Sequence, residues 1–198
     1  MQAVFFIRAT IYKALLFFLF TFILSFLCVA CQSKKAPPPV EWDFQKESIH
    51  IAYEAASELN QYGGSSHTLL FMVFQLSGAS DFKDYTQTAD GVQRLLQYQD
   101  IDQRRRIDLE DMAGMQTFFI SPGAKETLKI DRFEEARWVG FVAGYFDIDP
   151  VKSSGIVRIP VEEIEEGFFR KKISLIPKDL RVDIQFGPRA MRIEKDCK

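Results

Sequence analysis

Cysteine is scarce in this 198-residue chain, present only as Cys28, Cys31 and Cys197. Two of these lie three residues apart beside an apolar run, and the third is one residue from the end. That arrangement supplies no internal disulfide framework, so stability has to come from a hydrophobic core. Cys197 reads as a tail thiol. Histidine is scarcer still, with His50 and His67 alone. Neither lies near a Ser or Cys in a pattern that activates a nucleophile, and no Cys/His cluster has zinc spacing. Both read as strand-face histidines, and no catalytic group, metal or cofactor is expected. Asp147 and Asp149 lack the further oxygen ligands of a calcium loop and read as a solvated turn before Pro150. The chain also lacks a strong charge of either sign: the formal charge is −2, and no basic domain points to nucleic acid as a partner. There is no internal repeat.

What is present begins with a processing segment. Arg8 and Lys13 form a positive region, and residues 14–27 (ALLFFLFTFILSFL) form a continuous apolar one. Fourteen residues fall short of the roughly 20 that a helix needs to cross a bilayer core. Ala30 then precedes Cys31. A hydrophobic stretch, a small residue and a cysteine resemble the lipobox read by lipoprotein signal peptidase. Cys28 stands where lipoboxes usually carry Leu, with Leu27 one step further out; bulky Leu27 makes Cys28 the poorer lipidation site. An ordinary cleaved signal and an uncleaved anchor are the alternatives. On the lipoprotein reading, residues 1–30 are removed, Cys31 is acylated, and the lipid-anchored domain faces the periplasm. One acyl chain binds a membrane only marginally, whereas three hold it durably. Gln32 rather than Asp after the cysteine favours the outer membrane. Residues 32–40 (QSKKAPPPV) then form an extended tether, and 41–198 form one domain. Loss of Arg8 and Lys13 takes the charge to −4.

The domain pattern is mainly β. Residues 48–55 and 180–186 alternate apolar and polar, which buries one face and wets the other. Residues 67–76 (HTLLFMVFQL) and 138–146 (WVGFVAGYF) are apolar on both faces and read as central strands covered on both sides. Strands are also predicted at 116–121, 126–133, 155–161 and 173–176. Between 80 and 114 the period turns helical: Phe82 with Tyr85, then Val92 with Leu95 and Leu96, then Leu109 with Met112. The prediction is a β-sandwich of about seven or eight strands with a small helical insertion that covers the outer face of 67–76. Arg104, Arg105 and Arg106 lie among Asp100, Asp102 and Asp108 and read as a salt-bridged surface, with a partner or lipid-headgroup patch as the alternative. The carboxylates of 162–166 read as exposed, and Phe168 and Phe169 as core.

An ordered set of residues carries a resemblance. It comprises Cys31, Leu59-Asn60, Gln75-Leu76, Phe82, Pro122-Gly123 and Ala143-Gly144-Tyr145-Phe146-Asp147. In that order they resemble the outer-membrane lipoprotein of the type VI secretion system, the TssJ/SciN/VasD family. The resemblance spans about 31–150 and fades in the last fifty residues; 99–114 is longer than the family pattern. It implies a transthyretin-like β-sandwich without catalytic activity. It also implies a job: to hold the periplasmic domain of a TssM-like inner-membrane protein, with a TssL-like component engaged indirectly, and join the envelope complex to the outer membrane. A different β-sandwich lipoprotein, acting as a ligand-binding or adhesion module or as an accessory of another envelope machine, is the competing class. An enzyme using carboxylates is a third.

The loop 58–66 (ELNQYGGSS) is where partner binding is expected. The residues are Leu59, Asn60, Gln61, Tyr62, Gly63, Gly64, Ser65 and Ser66. Two glycines permit positive φ, and loops on a rigid scaffold commonly carry binding. Tyr62 offers apolar area and a hydroxyl at little entropic cost. In the resembling family this first inter-strand loop is the contact to the inner-membrane partner. The alternative is that Leu59 and Tyr62 fold back onto the sandwich.

Overall fold

The two runs that are apolar on both faces have to sit where both faces are covered, and that requirement organises the molecule. A computed structural model describes residues 38–98, 109–166 and 172–195. The expectations for Cys31, most of the tether, Arg104–Arg106, Phe168, Phe169 and Cys197 lie outside the described residues. The strands are β1 (Gln45–Ala55), β2 (Leu69–Leu76), β3 (Met112–Ile120), β4 (Lys125–Arg132), β5 (Trp138–Gly144), β6 (Ser154–Arg158), β7 (Val161–Glu166), β8 (Lys172–Pro177), β9 (Leu180–Phe186) and β10 (Met191–Lys195). Helices α1 (Ser80–Tyr85) and α2 (Ala89–Leu96) follow β2, and a single turn, α3 (Pro150–Ser153), precedes β6.

One sheet has the order β10-β9-β1-β4 and the second β3-β2-β5-β6; β7 and β8 make a separate hairpin. β2 and β5, the doubly apolar runs, are the two inner strands of the second sheet. Within the first sheet β1 runs parallel to β9, with Ile49 opposite Leu180 and Ala55 opposite Phe186. The inward residues of both sheets share one core: Ile49, Ile51 and Tyr53 of β1 and Val182, Ile184 and Phe186 of β9 face Phe71, Val73 and Phe141. The Phe71 ring meets Phe186 edge-on at 5.0 Å. This is the sandwich the sequence predicts, and burying each such side chain contributes about 1.5–3 kcal/mol.

The other face of β2 and β5 is covered by the helices. Met72, Phe74 and Val142 pack with Phe82 of α1 and Val92 and Leu95 of α2. α2 starts where the Thr88 hydroxyl accepts the Gly91 N–H at 3.1 Å. Gly140 lets α1 approach β5 closely, because a Cβ there would lie 2.6 Å from the Phe82 ring.

Three details differ from the sequence reading. The helical insertion ends earlier than 114: Met112 opens strand β3 instead of closing a helical piece with Leu109. β3 is an edge strand whose residues are nearly all half-buried, so it shows no alternation to read. Second, the predicted strand 155–161 divides into β6, which stays in the second sheet, and β7, which leaves for the hairpin after Pro160. Proline has no N–H for a ladder, which favours a break there. With β10 added, the described residues hold ten strands rather than seven or eight. Third, Leu70 is half-buried while its neighbours Leu69 and Phe71 are fully buried.

Candidate functional site

β1 sets two poles. At its start, Trp42 is buried and beneath the Arg132 guanidinium, whose Nη2 donates to the Asp43 carbonyl at 2.9 Å. The Glu135 N–H bonds the Trp42 carbonyl at 2.8 Å. β1 spans the eleven residues from Gln45 to its end at Ala55, a length of about 30 Å at the rise of an extended strand. There the loop 56–68 crosses to β2.

That loop is tied down on three sides. The Gln61 N–H donates to the Pro188 carbonyl at 3.0 Å, joining it to the β9–β10 turn. The His67 N–H donates to the Leu59 carbonyl at 3.0 Å, closing the loop on itself. Asn60 makes the third tie: its Oδ1 accepts the Phe146 N–H at 2.8 Å and its Nδ2 donates to the Thr68 carbonyl at 3.3 Å. Asn60 is buried and sits at φ 46°, a conformation asparagine tolerates better than most residues.

The tip is a two-residue turn. The Tyr62 and Ser65 amides and carbonyls exchange hydrogen bonds at 3.1 Å around Gly63 and Gly64, at φ 58° and 81°. Two successive positive φ values are the mark of a tight hairpin turn that glycine accommodates without strain.

Tyr62 stands beside this turn in an aromatic stack. Its ring lies 3.7 Å from that of His67 and 4.3 Å from that of Phe146, nearly parallel to both. His67 Nε2 also lies 3.4 Å from the Tyr62 carbonyl. Phe146 is 70 % exposed and Tyr62 38 %. Phe119 and Phe44 are exposed too, at 73 % and 57 %; Phe146 differs in being stacked on Tyr62, so that the two rings form one contiguous aromatic surface beside the loop tip.

The eight loop residues named from the sequence therefore divide. Leu59 is fully buried in the main core and Asn60 is buried and hydrogen-bonded, so neither offers a surface to a partner. Gln61 to Ser66 are exposed. Sequence reasoning missed Phe146, which it placed at the end of a buried strand. β5 ends at Gly144; Tyr145 turns inward at 3 % exposure and Phe146 outward. The alternation from Ala143 onward, followed by an Asp-Ile-Asp-Pro turn, carried that signal. Asp149 Oδ1 accepts the Val151 N–H at 3.1 Å and Oδ2 lies 2.8 Å from Lys152 Nζ, so this carboxylate starts α3. The hydrogen bond from Lys152 is the main reason its pKa is lowered. Among the described residues no group of three or more His, Cys, Asp or Glu could hold a metal ion.

The family model for the type VI secretion lipoproteins (VasD, EvfM, TssJ) matches residues 47–187, from β1 through the end of β9. The chain belongs to the type VI secretion lipoprotein family. The match continues well past residue 150, where the resemblance read from sequence fades. Among solved structures, the chain is similar to the type VI lipoprotein TssJ1 from Pseudomonas aeruginosa. Identity is 22 %, the TM-score is 0.53, and 81 % of this chain and 99 % of that one are covered. It is also similar to Serratia marcescens Lip, a membrane-bound component of the type VI secretion system, at 19 % identity and a TM-score of 0.52, covering 75 % and 97 %. A chain of a type VI membrane complex matches at 13 % identity and 0.51, covering 74 % and 96 %. At these identities the structures establish the fold. No curated protein matches the chain.

Proposed function

We propose that this type VI secretion lipoprotein is an assembly component of the envelope complex, acylated at Cys31 and held on the outer membrane. In this reading it grips the periplasmic domain of a TssM-like inner-membrane protein through the tip of loop 56–68, and a TssL-like component is linked to it only indirectly. The observation that carries the reading is the exposed Phe146–Tyr62–His67 stack, fixed to a rigid sandwich at the pole opposite Trp42. Residues 38–42 lead into the domain at the Trp42 pole, the end of β1 away from the stack. Aromatic anchors on a preorganised surface are the usual carriers of binding energy.

The burial pattern defines the test. Leu59 and Asn60 stay, and Gln61 to Ser66 are replaced by a Gly/Ser linker of equal length; in parallel, Tyr62 and Phe146 are both changed to Ala. Binding of the TssM-like periplasmic domain should fall by at least tenfold in each, about 1.4 kcal/mol or more. The melting temperature should stay within about 3 °C of the parent, as for surface changes. Parental affinity in a folded variant removes this site from the reading.

A further inference from the structure

An open groove of about 670 Å³ adjoins the loop cluster, between the end of β1, the β9–β10 turn and α3. Its apolar lining is the exposed Pro188 beside the buried Ala55 and Phe186. Its rim carries three cations, Lys152, Arg189 and Arg192, and one carboxylate, Glu54.

The rim charges are not equivalent. Glu54 is met by Lys125 Nζ at 3.1 Å, and Lys152 by Asp149 at 2.8 Å. Arg189 and Arg192 are exposed, and their side chains have no ion-pair or hydrogen-bond partner among the described residues. Arg192 stands opposite Gln185 in the ladder, and the facing carboxylates Asp183 and Glu194 lie two residues further along. Two guanidinium groups without an ion-pair partner among the described residues thus line the groove, in a protein whose formal charge is −2. Guanidinium groups bind carboxylates in paired, planar hydrogen bonds, and a concave site strengthens the attraction.

The groove is also joined to the loop site. Pro188, whose carbonyl accepts the Gln61 N–H, belongs to its lining, and Lys152 lies on the turn that follows Phe146. We infer that this groove receives an acidic segment of the protein partner, carboxylates on Arg189 and Arg192 and an apolar side chain against Pro188, while Tyr62 and Phe146 take an aromatic or aliphatic anchor. The inference rests on the partner reading above. A lipid headgroup shares the anionic chemistry, but the groove lies at the Ala55 end of β1, about 30 Å from the Trp42 end.

The test uses the full chain in detergent and three probes: the TssM-like periplasmic domain, a fluorescent hexaglutamate peptide, and phosphatidylglycerol vesicles. The variants are Arg189→Glu/Arg192→Glu and, as a control of equal charge change, Lys129→Glu/Arg181→Glu on the outer face of the first sheet. The groove variant should weaken the partner domain about tenfold or more near 0.1 M salt, with the gap closing at about 0.5 M, and the control should stay within about twofold. Hexaglutamate should bind the parent in a salt-sensitive way and fail to bind the groove variant. A folded groove variant, by circular dichroism, with parental affinity for the partner overturns the inference. So does vesicle binding that the groove variant abolishes while partner binding is intact. If the parent itself ignores the partner domain, the partner reading fails, and the hexaglutamate titration alone decides whether the groove takes acidic peptide.

Discussion

Asn60→Ala isolates what holds the loop site in place. The side chain bridges two loops: it accepts the Phe146 N–H at 2.8 Å and donates to the Thr68 carbonyl at 3.3 Å. Alanine deletes both bonds and leaves an amide and a carbonyl without partners. The Phe146 amide is part-buried, so orphaning it costs about 1–2 kcal/mol, the lower part of the range for a buried donor, and the longer bond to the exposed Thr68 contributes less. Alanine at φ 46° adds about 1 kcal/mol, because its Cβ crowds the backbone in the left-handed region. The expected loss is therefore about 2–3 kcal/mol in urea unfolding. Asn60→Gly separates the two contributions: it loses the bonds but keeps the conformation, so it should be less damaging than Ala by up to about 1 kcal/mol. Hydrogen exchange at the Phe146 amide is the local readout, and its protection should fall in both variants. A loss below about 0.5 kcal/mol with Phe146 protection unchanged would refute the bridge. Partner affinity should fall with the bridge even though Asn60 itself faces inward, because Tyr62 and Phe146 are then no longer held together.

Phe74→Ala should cost about 3–5 kcal/mol, because the ring is fully buried between β2 and the helices, 5.6 Å from Phe82. Burial pushes the Tyr145 phenol well above its ordinary range, so folding keeps its proton while the unfolded chain releases it near pH 10. Stability is then fully present below about pH 10 and lost as pH rises, at up to 1.4 kcal/mol per pH unit for this group. Tyr145→Phe should flatten that alkaline loss in urea melts from about pH 9 to 11, and it should shift neutral stability by less than about 1 kcal/mol, since the hydroxyl has no partner among the described residues. An unchanged alkaline slope would assign the loss elsewhere. Cys31→Ser should leave an exported chain that is not acylated and partitions with the periplasm or stays as a precursor; a variant that still labels with palmitate on the outer membrane would move the anchor to Cys28.

The sequence by itself determined the layers. Strands β2 and β5 had to be central because they are apolar on both faces, and alternation in β9 fixed Leu180, Val182, Ile184 and Phe186 inward and Arg181, Asp183 and Gln185 outward. Helical spacing located Phe82, Val92 and Leu95 over the second sheet. These are properties of one segment at a time, and local periodicity reports them. Edge strands report less: the half-buried β3 has no alternation, and Met112 read as helix. The site was legible only as a loop with two glycines and a tyrosine. Which of its residues face outward depended on hydrogen bonds from remote segments, since Asn60 is turned inward by an amide 86 residues away. Phe146 joined Tyr62 because β5 ends beside the β1–β2 crossing, and Arg189 and Lys152, from separate segments, came to line one groove at that end of the sandwich. Such juxtapositions follow from strand order and register, which no local pattern encodes, and so only the tertiary structure decided them.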